Sequence, residues 1–212
     1  MTSILTNLHD RNAVLYQLGW FSISGTLVCG VLALATQGQV LGINAFIKPM
    51  KFFGSTAILA WTMAWFVILL PQQRSVQLYA WVMVTVFVFE LGVISWQASR
   101  GKLSHFNIAS PSDGLLFSLM GLAITVFTGW TAYIGYLFFR LDTTAANAVY
   151  IWGIRLGILV FVLFAFQGFV MAGRLAHTVG APDGGPGLPI LNWSTRHGDL
   201  RVAHFFGCML FS

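Results

Sequence analysis

Charge is what this chain has least of. Asp, Glu, Lys and Arg make up 8% of its 212 residues, where a water-soluble domain carries roughly a quarter. Hydrophobic residues make up 57%, and the mean hydropathy is +0.79. That imbalance excludes a globule in water, because the interior of so small a domain cannot hide this much apolar surface. Cysteine is scarce as well. Cys29 and Cys208 stand far apart with no CxxC spacing, which excludes a disulfide scaffold and argues against a sulfur-bound metal. No HExxH, GxSxG or P-loop occurs, nor any paired metal-ligand spacing, so no motif names a reaction. The net charge of +5 does not form a basic stripe. Its Lys and Arg sit singly or in pairs beside apolar runs, a pattern of membrane anchoring and not of nucleic-acid binding.

What is present is a series of long apolar runs. They predict an all-α polytopic transmembrane helix bundle, a single domain over 1–212 with five complete spans and a partial sixth. The spans are placed at about 13–36, 49–70, 76–97, 111–139 and 143–175. The N-terminus has no charged n-region leading to a small-residue cleavage site, and the first run is too long for a signal h-region, so that run is read as a retained helix. Pro49 suits a first helical turn and Pro71 a stop. Ser110-Pro111-Ser112-Asp113 reads as a cap, a proline at the first helical position and an acid three residues on. Asp142-Thr143-Thr144 is expected to cap the fifth helix. The Gly/Pro-rich stretch 177–201 is an aqueous loop. The last run, at about 202–212, is too short to cross, so the polypeptide is expected to be shortened relative to its functional form.

Five crossings put Arg11, Arg74 and Arg140 at one end. Lys48, Lys51, Arg100, Lys102, Arg174, Arg196 and Arg201 fall at the other. By the positive-inside rule the N-terminus faces out, and the loops after the first, third and fifth spans face the cytoplasm. The protein is therefore expected in the inner (cytoplasmic) membrane as a multi-pass protein, with the lipid bilayer as its partner, a homo-oligomer as an open possibility and no nucleic acid.

Two ionisable residues lie deep inside predicted spans. Glu90 falls about 21 Å deep and Arg155 about 18 Å deep in helices running the same way, so the two are candidates for an intramembrane polar centre. Pairing would offset part of a cost of about 2.5 to 3.5 kcal/mol for each charge. It would either lock two helices together or serve a proton or ion relay. A second candidate cluster gathers at the cytoplasmic edge: Lys48, Lys51, Arg100, His105, Asn107, Asp199, Arg201 and His204. Lys48 and Lys51 oppose the macrodipole at a helix start, so an anion is expected near them, by default a lipid phosphate. His105, His177, His197 and His204 share this side, but no histidine lies deep in a span as a bis-histidine haem site requires. Loop and cap hydrogen bonding is the plainer reading. Trp20, Trp96 and Trp193 read as interface anchors, whereas Trp61, Trp65 and Trp81 lie farther in and are expected between helices. Gly121 and Gly129 are expected to permit close helix approach.

Three segments carry a resemblance: Ile47-Lys-Pro-Met-Lys-Phe52, Ser99-Arg-Gly-Lys-Leu-Ser-His-Phe-Asn107 and Asn192-Trp-Ser-Thr-Arg-His-Gly-Asp-Leu-Arg-Val-Ala-His-Phe205. They resemble an uncharacterised group of bacterial polytopic inner-membrane proteins. The resemblance implies further apolar helices past the position of Phe206 and a second histidine shortly after His204, where this sequence instead ends at Ser212.

No metal site is expected. The functional expectation is a transporter or permease-like protein moving a small solute or protons. The alternatives are a haem- or quinone-linked redox subunit using His105 and His204, and a non-catalytic assembly or sensor protein. An enzymatic role is the less favoured reading.

Overall fold

The structure is a computed structural model that describes residues 4–209. The side chains of Cys208 and Met209 and the residues after them lie outside the description, and so do the Cys208 expectation and the end of the partial sixth helix. A short helix α1 (Ile4–Arg11) leads into α2 (Ala13–Ala35). The two join at Asn12, whose extended backbone and side-chain oxygen, accepting from the Leu15 N–H at 3.0 Å, cap α2. Sequence periodicity did not mark α1. It is eight residues long and buries only Leu8, too little for an apolar stripe to register.

A two-residue hairpin follows, β1 (Gln39–Val40) paired with β2 (Ile43–Asn44). Its turn residues Leu41 and Gly42 have φ of 52° and 78°, the doubly left-handed turn that matches the twist of adjacent strands. Then come α3 (Ile47–Val67), α4 (Gln73–Ser99) and α5 (Pro111–Arg140). Ser110 caps α5 as its sequence predicts, with Pro111 at the first position and the Asp113 N–H donating to Ser110 Oγ. The fifth crossing starts at Ala148, not at Thr143. The Thr144 N–H donates to Asn147 Oδ1 and the Asn147 N–H to the Thr144 carbonyl, so this segment closes on itself as a turn and does not cap a helix. The crossing consists of α6 (Ala148–Ala165) and α7 (Gln167–Arg174), broken at Phe166. The Gly/Pro-rich loop is pinned at its ends by β3 (Thr178–Val179) against β4 (Gly198–Asp199), and α8 (Leu200–Met209) closes the described chain.

The protein is a membrane-embedded, multi-pass helical bundle. Five crossings, α2, α3, α4, α5 and α6–α7 taken together, are long and apolar enough to span a bilayer. Leu15, Ala60, Met63, Ala64, Tyr79, Met83, Ile134, Phe138 and Ile158 form the dry interior. The outward faces are just as apolar. Leu34 on α2 is 88% exposed and Val149 on α6 equally so, which is tolerable only where hydrocarbon replaces water. Trp81 belongs to that outer surface at 54% exposure. The expectation that it packs between helices is therefore corrected. It shares a run with buried neighbours but points off their stripe. Trp61 and Trp65 do pack inside. Trp61 Nε1 donates to the Tyr16 carbonyl, and the Arg11 guanidinium lies 3.9 Å from the Trp65 ring centroid.

Close helix approach also occurs elsewhere than expected. A Cβ at Gly121 or Gly129 would meet nothing within 4 Å, so those glycines face outward. The tight contacts are at Gly19 against the Trp61 indole, Gly25 against the Phe53 ring and Gly135 against Ile158, where a Cβ would come within 2.8 Å of Cγ2. Gly19, fully buried Ser22 and Gly25 recur every third residue and bring α2 against α3. Gly19→Ala should force the hydrogen-bonded Trp61 indole out of place. It is expected to cost about 1 to 3 kcal/mol, read as a lowered thermal midpoint in detergent, whereas Gly121→Ala should leave the midpoint unchanged.

Candidate functional site

Glu90 and Arg155 are not brought together. Arg155 lies seven positions after Ala148, at roughly 10 Å of helix rise, near the end of the bundle where α5 stops. Its Nε donates to the Phe138 carbonyl at 2.9 Å and its Nη2 to the Leu141 carbonyl. The guanidinium also lies 4.8 Å from the Trp152 ring centroid and 5.7 Å from that of Phe139. A cation on the last carbonyls of α5 complements the helix dipole. Arg155 is thus a latch on the α5–α6 turn. The matched depths expected from sequence fail because the helix begins at Ala148.

Glu90 lies nine positions before Ser99, about 14 Å of rise from the basic end. It is 3% exposed, and its Oε1 has no hydrogen-bond partner. The cation within electrostatic reach of its carboxylate is Lys48, in the first turn of α3. Toward the other end, positions three, four, seven and eleven before Glu90 are Phe87, Val86, Met83 and Tyr79, which lie along its own face of α4. Val86, Met83 and Tyr79 are buried, and Phe127 of α5 packs on the rings of both Tyr79 and Phe87. Glu90 therefore has a polar neighbour toward the basic end and an apolar plug on the far side.

The basic end gathers several of the remaining candidates. Lys48 Nζ donates to His105 Nδ1 at 3.3 Å, and Ser104 Oγ donates to the same nitrogen at 3.1 Å. With two donors on Nδ1, the imidazole proton belongs on Nε2. Phe52, Phe106 and Phe117 surround the ring. His177 packs 4.9 Å from the Phe106 ring centroid, and its Nδ1 donates to Asp183 at 2.6 Å. His204 Nδ1 donates to the Phe164 carbonyl at 2.9 Å. His105 feels the other two imidazoles. Burial, then the charge of Lys48, then His177 and His204, hold His105 well below the ordinary histidine range. Burial is also the leading cause that depresses His177 and His204. Burial alone would raise Asp183, but the His177 and Thr178 N–H groups donating to it outweigh that and hold it near about 2.

The other predicted edge residues hold the loop and do not join this cluster. Lys51 Nζ donates to the Ile190 and Leu191 carbonyls. Asp199 and Arg201 form a two-point ion pair, and Arg201 also donates to the Asn192 carbonyl. Asn107 folds its own turn, donating to the Leu103 carbonyl and accepting the Ala109 N–H. Arg100 stands apart, with its guanidinium 4.4 Å from the Trp96 ring centroid.

A further polar network was not anticipated. Asp113, read from sequence only as a helix-start acid, accepts from Gln97 Nε2 at 2.8 Å, Lys102 Nζ at 2.9 Å and Ser110 Oγ at 2.8 Å. The available signal was antiparallel geometry. The connector 100–110 sets the end of α4 beside the start of α5, so Gln97 and Asp113 face each other. Among the described residues, no group of three or more His, Cys, Asp or Glu is placed to hold a metal ion.

The depressed histidines fix the sign of a pH effect. A neutral, buried imidazole contributes stability that is fully present above its unfolded pKa of about 6.5. That stability is lost as pH falls below this value, because the unfolded chain takes up the proton first. The thermal midpoint in detergent should therefore fall between pH 7.5 and 5.5, and His105→Gln should reduce the slope. An equal slope in wild type and variant would count against the cluster. The chain matches no protein-family model, no curated protein and no solved structure, so the reading of its role rests on this geometry.

Proposed function

We propose that this integral membrane protein moves protons, or a small solute coupled to them, across the bilayer, with Glu90 as the intramembrane carrier group. One observation carries the reading: a carboxylate buried within a spanning helix, with an oxygen that nothing satisfies. Such a group is costly in a membrane interior and is retained where it binds a proton or cation. Lys48 and His105 lie between it and the basic end, and the depressed imidazoles of His177 and His204 extend that polar region toward water. The apolar plug of Phe87, Val86 and Met83 closes the other side. In this reading, transport requires a second state in which the plug parts. By the excess of Lys and Arg, the basic end faces the cytoplasm of an inner membrane and the N-terminus faces out.

A second reading, a haem- or quinone-linked subunit, draws on one feature. Both His177 and His204 spend Nδ1–H on a fixed oxygen, leaving Nε2 lone pairs oriented as in ligating histidines. A Soret band in protein purified from a haem-replete host would shift the assignment to that reading.

In proteoliposomes with an imposed pH gradient, wild type should dissipate the gradient. Glu90→Gln should insert and fold but lose at least about tenfold in flux, as removal of a positioned proton carrier does. Arg155→Lys, which alters only the far turn, should retain flux. Equal flux for wild type and Glu90→Gln would remove Glu90 from the mechanism.

A further inference from the structure

A cavity of about 380 Å³ opens in the Gly/Pro-rich loop, lined among others by Asn192, Ser194, Arg196, His197 and Arg201. Its charges are unequally committed. Asp183, also in the lining, already accepts the N–H groups of His177 and Thr178 and the His177 ring. Asp199 lies behind the wall and is spent on Arg201 and the Ser194 N–H. Arg196 and His197 are different. Their backbone N–H groups donate to Ser194 Oγ, which fixes the turn that carries them, while their side chains are exposed and hydrogen-bond to none of the described residues. The cavity thus presents a guanidinium and an imidazole available to a ligand, while the carboxylate oxygens of Asp183 are already occupied by hydrogen bonds, an arrangement suited to a phosphate group.

A second, independent feature says where that phosphate comes from. The loop tip next to the cavity, Leu188 to Leu191, is apolar and exposed, and Ile190 is 59% accessible. Ile190 sits at φ 64°, a left-handed backbone that a β-branched residue adopts only under constraint. The constraint is Lys51, whose ammonium holds the carbonyls of Ile190 and Leu191. Lys51 belongs to the first turns of α3, so it fixes the tip at the level where the bundle enters hydrocarbon. Trp193, packed on Phe205 and Phe206, supports the tip from behind, a placement typical of membrane-interface aromatics. An apolar tip at the bilayer boundary and a basic cavity directly beside it match the two parts of a phospholipid.

We propose that this cavity binds the phosphate headgroup of an anionic membrane lipid, with Arg196 and His197 as its ligands and the 188–191 tip inserted among the acyl chains. The site is separate from Glu90 and stands whether or not the protein moves protons.

The test uses the full chain in detergent, exchanged with phosphatidylglycerol or phosphatidylcholine and examined by native mass spectrometry for retained lipid. Wild type should retain one phosphatidylglycerol molecule at least about tenfold more strongly than the Arg196→Gln/His197→Gln double variant, the loss expected for charge-assisted contacts. Phosphatidylcholine should be retained equally weakly by both. Ile190→Asn, which suits the left-handed backbone but removes the apolar tip, should weaken retention while leaving helicity intact. Equal retention of phosphatidylglycerol by wild type and double variant overturns the proposal. Saturable binding of inorganic phosphate to wild type, lost in the double variant and without preferential lipid retention, also overturns it by making a free phosphate the occupant.

Discussion

Hydrocarbon offers no hydrogen bonds, and most polar groups within the described crossings are disposed accordingly. Between the two ends of the bundle, backbone amides bond within their own helices, and threonine and serine hydroxyls fold back onto carbonyls four residues earlier, as at Thr26, Thr56 and Thr131. Arg155 follows the same constraint, reaching the last carbonyls of α5 so that its charge lies against helix-end dipoles and indole faces. Asp113, buried near the basic end, accepts from Gln97 Nε2 and from Lys102 at the rim. Among the described residues, buried side-chain oxygens of Ser22, Ser95, Gln97 and Glu90 lack a partner, and of these only that of Glu90 belongs to an ionisable group. An unmatched carboxylate oxygen within electrostatic reach of Lys48 is the feature on which the proposed carrier role rests.

The basic end combines two tasks with little overlap of residues. His105, His177 and His204 form a half-buried set of imidazoles whose neutral state is favoured by burial, with Lys48 against His105. Lys51, Asp199 and Arg201 instead tie the 177–201 loop to α3 and α8. Neighbouring basic residues, Lys48 and Lys51, are therefore divided between the His105 contact and an anchor for the loop. Sequence spacing places them together, and only tertiary geometry separates them.

The sequence carried most of the fold because membrane spans are encoded locally. The apolar runs locate α2 to α5 to within a few residues, and the Ser110-Pro111 start of α5 is a cap that its own four residues build. Errors arose where a neighbouring element decides. The fifth crossing begins late because Asn147 folds a turn over Thr144, and this shift carried Arg155 away from the depth of Glu90. Trp81 faces outward and Gly121 touches nothing, since hydropathy reports that a residue is in the membrane and not which way it points. The candidate site was half legible. Glu90 as a buried acid and the basic edge followed from composition, whereas the Lys48–His105 contact and the Gln97–Asp113–Lys102 network depend on which helices adjoin.

The grip of Lys51 on two successive carbonyls has a mechanical meaning. An ammonium rooted one turn into α3 and fastened to a strained loop apex makes a tether, so any rocking of that helix is passed to the aqueous flap, and any push on the flap returns to the helix. Because Lys48 is on the same turn, the group that faces Glu90 travels on the same lever. Events at the water-facing rim and at the buried carboxylate are joined by a single rigid turn of backbone.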